Sequence, residues 1–512
     1  MDKKSNNSQF SHYGYIFSMM GSAIGFANIL SFSARCYKNG GGAFLIPFIV
    51  AMAVVGLPML YLEGIVGQRF TLPVVSAYGK AAGKIGKFFG WLSVIACATI
   101  GAFYTVLTGW SLAYTGFAAM DMIPQDSASF FLNDFLKVSS GLTDFGSFSP
   151  LIFIVTAAIT TLTWFILVRN IQEGIETVCS IFMPALAFLI SIFAISVCFL
   201  PGASIGFSYF LQPDFSKLAD FTLWREVFGH VFFSFSLGLG IVVGYSRYTN
   251  QSINIPRAMI CVALGDFFIS FIAGLTIFGC VGFMSHCSGI PFTEIVTSDS
   301  TFEMGFVIFP MVLKCFSPVA AMVIGTLFFF SVFIAGITGV FSIVESIAGN
   351  IQVEFAQSRK AAVGIATSVI ALFSAIFCMG NSTHLIGALE PMVLGNNMLI
   401  GGIAEIAIFM YTTKLIRDHK IWFHNDKRTW AFYSIISIVP LILTTILIGS
   451  LVTEVQSGID TPCLVRWGWL AIACLVSIAL AQNSKKRQSV NMVESPEIFT
   501  VDDEIADSRE AS

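Results

Sequence analysis

Apolar runs of about twenty residues recur along almost the whole chain, and no other feature restricts the possible folds as strongly. A helical run of that length matches the roughly 30 Å hydrocarbon core of a bilayer. Twelve are expected to span a membrane, near residues 13–37, 42–69, 88–118, 149–168, 175–200, 225–247, 257–284, 319–352, 360–379, 384–413, 429–452 and 464–484. Hydrocarbon offers no partner to a free backbone N–H or C=O, so the spans are helices and the fold is an all-α membrane protein. Only 11% of residues are charged, against about 25% in a soluble globular chain.

Lys and Arg set the orientation. With both termini on one face, that face holds twenty of the 27 Lys and Arg residues and the other holds seven. The bias places both termini in the cytoplasm of a cell that carries the protein in its plasma or inner membrane. Residues 1–12 form a short polar N-terminal segment, and no A-x-A pattern follows the first run, which reads as a retained helix. Residues 486–512 read as a disordered acidic tail. The longer connections, 119–148, 201–224 and 285–318, fall on one side. The eleven cysteines are scattered without a CxxC pair and read as small buried residues. No motif for nucleophilic catalysis and no metal-ligand cluster is present, so the chain does not read as an enzyme. The net charge of −3 gives no footprint for nucleic acid.

Two spans depart from the lipid-facing pattern. The first carries Gly21, Ser22, Gly25 and Asn28 in "GSAIGFAN", and the sixth contains "FFSFSLGLG", Phe232 to Gly240. One such segment is explained by close helix packing through small residues. Two of them open two five-helix halves, spans 1–5 and 6–10, and matched interruptions point to a transport site built from broken helices. Half-helix N-termini suit a carboxylate and freed carbonyls suit a sodium ion.

With these motifs, and with "NGGGAFLIPF", "GLPMLYLEG", "GQR", "FYTVLTGW", "SFIAGLTIFGCVGFM" and "FIAGITG", the chain resembles the neurotransmitter:sodium symporters of the LeuT fold, in the bacterial amino-acid-transporter manner. The resemblance covers residues 11 to 485. It implies a 5+5 inverted repeat with helices 1 and 6 broken, a transport core over 13–413, and helices 11–12 over 414–485. It implies import of an amino acid with one or two sodium ions by alternating access. A first sodium site would use Ala23, Asn28, Ser234 and Asp266, where the family usually has Asn at the last position. A second would use Gly21, Ile24, Ala335 and Thr338, with Gly339 where a second hydroxyl is usual. The substrate carboxylate would meet the amides of Phe26 and Ala27 and the hydroxyl of Tyr104. Ser22, Ala23, Ile100, Phe233, Ser236, Leu239, Gly339 and Ile343 would line the rest of the pocket.

The gates depart from the family. Ser31 stands where an outer-gate Arg is usual, so Arg35 substitutes, with Glu390 as partner, or else anchors at the interface. The usual N-terminal Arg and Trp are missing, leaving Lys3, Lys4 and Phe10 as stand-ins. The positions that hold chloride in relatives read Phe48, His230, Ser234 and Ser270, and chloride is not expected to be required. Two other readings stay open: proton coupling through His230 and Asp266, and a membrane sensor that keeps the fold without transporting.

Overall fold

The computed structural model describes residues 9–296, 302, 304–412, 426–456 and 458–483. Lys3, Lys4 and the tail 486–512 lie outside the described residues. Among those described, regular structure is helical, apart from one isolated bridge between Phe148 and Met379.

The first span is two helices, α1 (His12–Ala23) and α2 (Ala27–Lys38), bent by 55° at the residues between them. Next come α3 (Gly42–Phe70), α4 (Val74–Ala119), α5 (Pro150–Leu167) and α6 (Gln172–Val197). The second half of the chain adds α7 (Ala203–Leu211), α8 (Phe221–Ser234), α9 (Ile241–Ser246) and α10 (Ile255–Ser288). It continues with α11 (Met304–Leu313), α12 (Pro318–Glu354), α13 (Arg359–Cys378) and α14 (Ser382–Met410). The last two helices are α15 (Asp426–Gln456) and α16 (Thr461–Asn483).

Ten of these helices are long and apolar enough to cross a membrane, or eleven when α1 and α2 count as one span. The expected sixth span is divided between α8 and α9, each too short to cross alone. Helix ends follow local chemistry. Asp220, Asn254 and Ser358 cap α8, α10 and α13 by accepting backbone N–H groups. Gly289, with φ +70°, ends α10 in the left-handed region.

The third span differs from expectation. Its helix starts at Val74 rather than near 88, with the chain direction broken at Ala82 and Gly83. Gly83 has φ +61°, which glycine tolerates without steric cost. The connection 201–224 carries α7, and 285–318 carries α11. Both have apolar faces that pack on the bundle. The cysteines divide: Cys198, Cys261, Cys287 and Cys315 are exposed at the protein surface, Cys474 is half-buried, and Cys36, Cys97, Cys179, Cys280, Cys378 and Cys463 are buried.

Small residues set how closely the helices approach. α4 crosses α12 where Gly101 faces Ile343 and Gly336 faces Thr108 and Phe26. α7 lies on α10 through Gly206 and Gly282, each against the other's backbone. The most apolar stretches of α12 and α4 are 89% and 83% buried, whereas those of α15 and α16 are 22% buried. Thus α4 and α12 form the centre and α15 and α16 the periphery.

A Cβ at Gly206 would collide with the Phe278 carbonyl. Gly206→Ala is therefore expected to destabilise the detergent-solubilised protein by about 1–3 kcal/mol, the usual cost of overpacking. Gly387→Ala, where a Cβ meets nothing within 4 Å among the described residues, should not lower the thermal midpoint, since alanine is the better helix former. Equal midpoints for both variants would contradict this packing.

Candidate functional site

The two interruptions meet at the centre of the bundle. α1 ends at Ala23, and Ile24 turns to extended backbone with φ −83° and ψ 109°. The chain then passes Gly25 and Phe26 and re-enters helix through a wide π-type turn, Ala27–Ser31. In the other break, α8 ends at Ser234 and six residues follow before α9. Ser236, Gly238 and Gly240 there have φ of +54°, +73° and +70°. Ser236 is the exception among them, since a residue with a Cβ meets a steric cost in this region.

Each break is held by side chains, local and distant. Asn28 folds back so that its Oδ1 accepts the Gly25 N–H at 2.8 Å. The Phe26 N–H points at the Tyr104 hydroxyl, 3.3 Å away. In the second break, Gly238 N–H donates to Glu63 Oε1 at 2.8 Å, and the Ser346 hydroxyl donates to the Gly240 carbonyl. The Ser236 hydroxyl donates to the Ser22 carbonyl at 3.2 Å, which joins the two breaks directly.

Asn28, Ser234 and Asp266, three of the residues expected at the first sodium site, lie together with Ser270 from the expected anion positions. Asn28 Nδ2 reaches Asp266 Oδ1 at 2.6 Å, Ser270 Oγ at 2.9 Å and Ser234 Oγ at 3.1 Å. Ser234 Oγ also donates to Asp266 Oδ1 at 2.7 Å. All four residues are at most 1% exposed. The second carboxylate oxygen of Asp266 is buried without a hydrogen-bond partner among the described residues. The free oxygen of Asp266 and the hydroxyls of Ser234 and Ser270 are of the kind a hard cation seeks, with a carboxylate at Asp266 where an amide is usual, whereas Asn28 turns its NH2 group to this cluster and its oxygen to Gly25. Around the expected second site, Gly21 packs on Thr338, a Cβ there falling 3.2 Å from Thr338 Cβ. The Thr338 hydroxyl donates back to the Ile334 and Ala335 carbonyls at 3.0 and 3.2 Å, leaving its lone pairs available.

Between the breaks lies a narrow cavity of about 30 Å³. Ser22, Ala23, Gly25, Ala27, Ile100, Tyr104, Phe233, Ser236, Leu239, Ile241, Gly339, Ser342 and Ile343 line it. Of the expected pocket residues, Phe26 does not line it; its ring instead packs on Tyr104 at 4.8 Å. Gly25, Ile241 and Ser342 were not expected. Gly339 has a structural reason: a Cβ there would lie 2.8 Å from Tyr104 Cε1 and 2.9 Å from its hydroxyl. A Cβ at Gly25 would also collide with that hydroxyl. The Tyr104 side chain occupies the space that these two glycines leave.

At one end of the first span, Arg35 Nη2 lies 3.7 Å from Glu390 Oε1. Arg35 Nε donates to Ser31 Oγ, so Ser31 supports Arg35 from one turn away. Both partners are partly exposed, and such a pair contributes little to stability. His230 does not meet Asp266. Its ring packs among Phe32, Phe44 and Phe48 at 5.9, 6.1 and 5.7 Å, and neither ring nitrogen has a hydrogen-bond partner among the described residues. The aromatic side chains from α2 and α3 enclose it. Phe48 and Ser270 accordingly fall in different surroundings: Phe48 in this apolar cage, Ser270 on Asn28.

At the opposite end of the first span lies a cluster that sequence reasoning missed. Glu345, fully buried, contacts Arg359 at 2.6 Å, Arg247 at 3.5 Å and the Tyr248 hydroxyl at 2.8 Å. Phe10, 2% exposed, packs on Tyr15, Tyr245 and Tyr248, and its N–H donates to the Tyr248 carbonyl. Glu63 was missed as well, and Glu405 lies buried alongside it and Tyr78. The available signal was an acid in the middle of an apolar span, which marks a functional position by default.

The sequence pattern of the Sodium:neurotransmitter symporter family matches residues 7–127 and 118–484. An uncharacterized sodium-dependent transporter of Methanocaldococcus jannaschii is 33% identical over 92% of this chain and 96% of its own length. The sodium- and chloride-dependent GABA transporter 2 of Rattus norvegicus is 27% identical over 65% of this chain and 60% of its own length. Among solved structures, that of MhsT in complex with L-phenylalanine superposes with a TM-score of 0.74. That match has 24% identity and covers 86% of this chain and 99% of MhsT, which shows a shared fold.

Gly339→Ser would supply the missing hydroxyl but push into the Tyr104 ring. It is expected to destabilise the protein by about 1–3 kcal/mol, read as a lowered thermal midpoint. Combining it with Tyr104→Leu should recover most of that loss. A single variant as stable as wild type would show that Tyr104 does not set the size of residue 339.

Proposed function

The chain belongs to the Sodium:neurotransmitter symporter family, and on that premise we propose that it imports an amino acid together with sodium by alternating access. The observation that carries this reading is the position of the buried Asn28–Ser234–Asp266 cluster at the same break as the Phe26 N–H and the Tyr104 hydroxyl. A carboxylate held between that hydroxyl and the amides of Phe26 and Ala27 would sit at the positive end of α2, beside the sodium ion. Among the described residues, no acid lines the cavity to meet the ammonium of a carboxylate-free amine, which favours an amino acid as substrate.

In this reading Asn28, Ser234, Asp266 and the Ala23 carbonyl hold the first sodium ion. The carbonyls of Gly21, Ile24 and Ala335 and the Thr338 hydroxyl hold the second. The spans to α14 form the transport core, both termini face the cytoplasm, and α15 and α16 flank the core. Arg35 and Glu390 close the outer side. Phe10 and the Glu345 cluster close the inner side, where Arg247 and Arg359 replace the missing N-terminal arginine. The enclosure of His230 by phenylalanine rings favours sodium over a proton shared with Asp266.

Thermal-shift measurements with each of the twenty amino acids, with and without sodium, test the reading. Ligand that binds only the folded state raises apparent stability by mass action. One or a few amino acids should stabilise wild type, and only with sodium. Asn28→Ala should abolish the sodium-dependent shift and still yield folded protein. The same response in wild type and variant at every sodium concentration would refute the site.

Chloride is the second test. A cation entering a low-dielectric site needs a compensating charge, and Asp266, held ionised by the bound sodium and its hydrogen bonds, would provide one. Uptake by wild type should be indifferent to replacement of chloride by gluconate. Asp266→Asn should lose activity or acquire a chloride requirement through Ser234 and Ser270. Strong chloride dependence of the wild type would refute this role for Asp266.

A further inference from the structure

We infer that the pocket selects an amino acid whose side chain bears a hydroxyl, threonine or serine, and that Ser22 is the residue that reads it. This rests on the transport reading above and narrows its substrate.

Ser22 is the penultimate residue of α1, one turn before Phe26. It lines the cavity and is 7% exposed, yet its hydroxyl has no hydrogen-bond partner among the described residues. A buried polar group without a partner is costly, and most native hydroxyls avoid that state. Neighbouring serines behave otherwise. The Ser236 hydroxyl donates to the Ser22 carbonyl, and the Ser342 hydroxyl donates to the Gly339 carbonyl at 2.8 Å. Their protons are used, so toward the cavity they present lone pairs. Ser22 alone can still both donate and accept.

A ligand hydroxyl complements this set. It accepts from Ser22 and donates to Ser236 or Ser342, so that each proton finds one acceptor. The remaining wall, Ile100, Phe233, Leu239 and Ile343, is apolar and suits the methyl group of threonine. An acidic or basic side chain would be buried with no counter-charge among the described lining residues, which is strongly disfavoured. Valine has the shape of threonine but leaves the Ser22 hydroxyl unpaired. A site built to hydrogen-bond a substrate hydroxyl discriminates strongly against the analogue that lacks it.

The test is equilibrium binding of threonine and of valine to the purified full-length protein in sodium, for wild type, Ser22→Ala and Ser342→Ala. Threonine should bind wild type at least about 10-fold more tightly than valine. Ser22→Ala should bring the two within about threefold by weakening threonine and leaving valine unchanged. Ser342→Ala, which removes only a lone-pair acceptor, should reduce the preference less. Valine binding as tightly as threonine to wild type would overturn the inference, whatever the variants do. So would an unchanged preference in folded Ser22→Ala. If other amino acids bind with sodium and threonine and serine do not, the inference falls and the transport reading stands. If none of the twenty binds, both fall.

Discussion

Irregular backbone at membrane depth is the constraint on which the rest of this structure depends. Each unpaired peptide group in hydrocarbon costs several kcal/mol, so two helices can break there only if other side chains take over the lost hydrogen bonds. Asn28 accepts from Gly25, Tyr104 stands opposite the Phe26 N–H, and Glu63 accepts from Gly238. The same groups then serve the site. Asn28 turns its NH2 end to Asp266, Ser234 and Ser270, so the side chain that stabilises the break also ties these three residues together. Binding at such a place would be coupled to backbone conformation, as the proposed alternating access requires.

Steric room is the second condition. Gly25 and Gly339 leave the space that Tyr104 fills, and Gly21 lets α1 approach Thr338 on α12. A position that reads as a lost ligand, Gly339, is therefore also a packing requirement. The two ends of the first span show a similar exchange. Ser31 gives up a charge but holds Arg35 in place toward Glu390. At the other end a buried glutamate between two arginines stands beneath Phe10, where the sequence offers only weak N-terminal stand-ins.

The spans were legible because hydrocarbon enforces length and apolarity residue by residue. The breaks were legible because glycine, serine and asparagine have no other reason to interrupt such runs. The pocket followed by matching motifs, and only Phe26 among its expected lining residues faces elsewhere, onto Tyr104. What sequence could not give was the partner of a long side chain. Glu345 lies 98 residues from Arg247 in sequence, and nothing local to either announces the contact. Nor could spacing show that His230, one turn from Ser234, faces Phe32, Phe44 and Phe48 rather than Asp266. Helical periodicity gives the face of one helix but not which neighbour covers it. The helical stretch that starts at Val74 was missed because residues 79–87 carry Gly79, Gly83 and Gly86 among Lys80, Lys84 and Lys87, a composition that reads as a connection.

The central claim, that sodium drives an amino acid through this site, is tested most directly by accumulation in proteoliposomes. Vesicles containing the purified protein are given a labelled amino acid that binds, with an inward sodium gradient or with sodium equal on both sides. The account predicts transient accumulation above the external concentration with the gradient, and simple equilibration without it. Sodium-dependent binding with no accumulation under either condition would contradict it, and would make the protein a sensor built on a transporter fold.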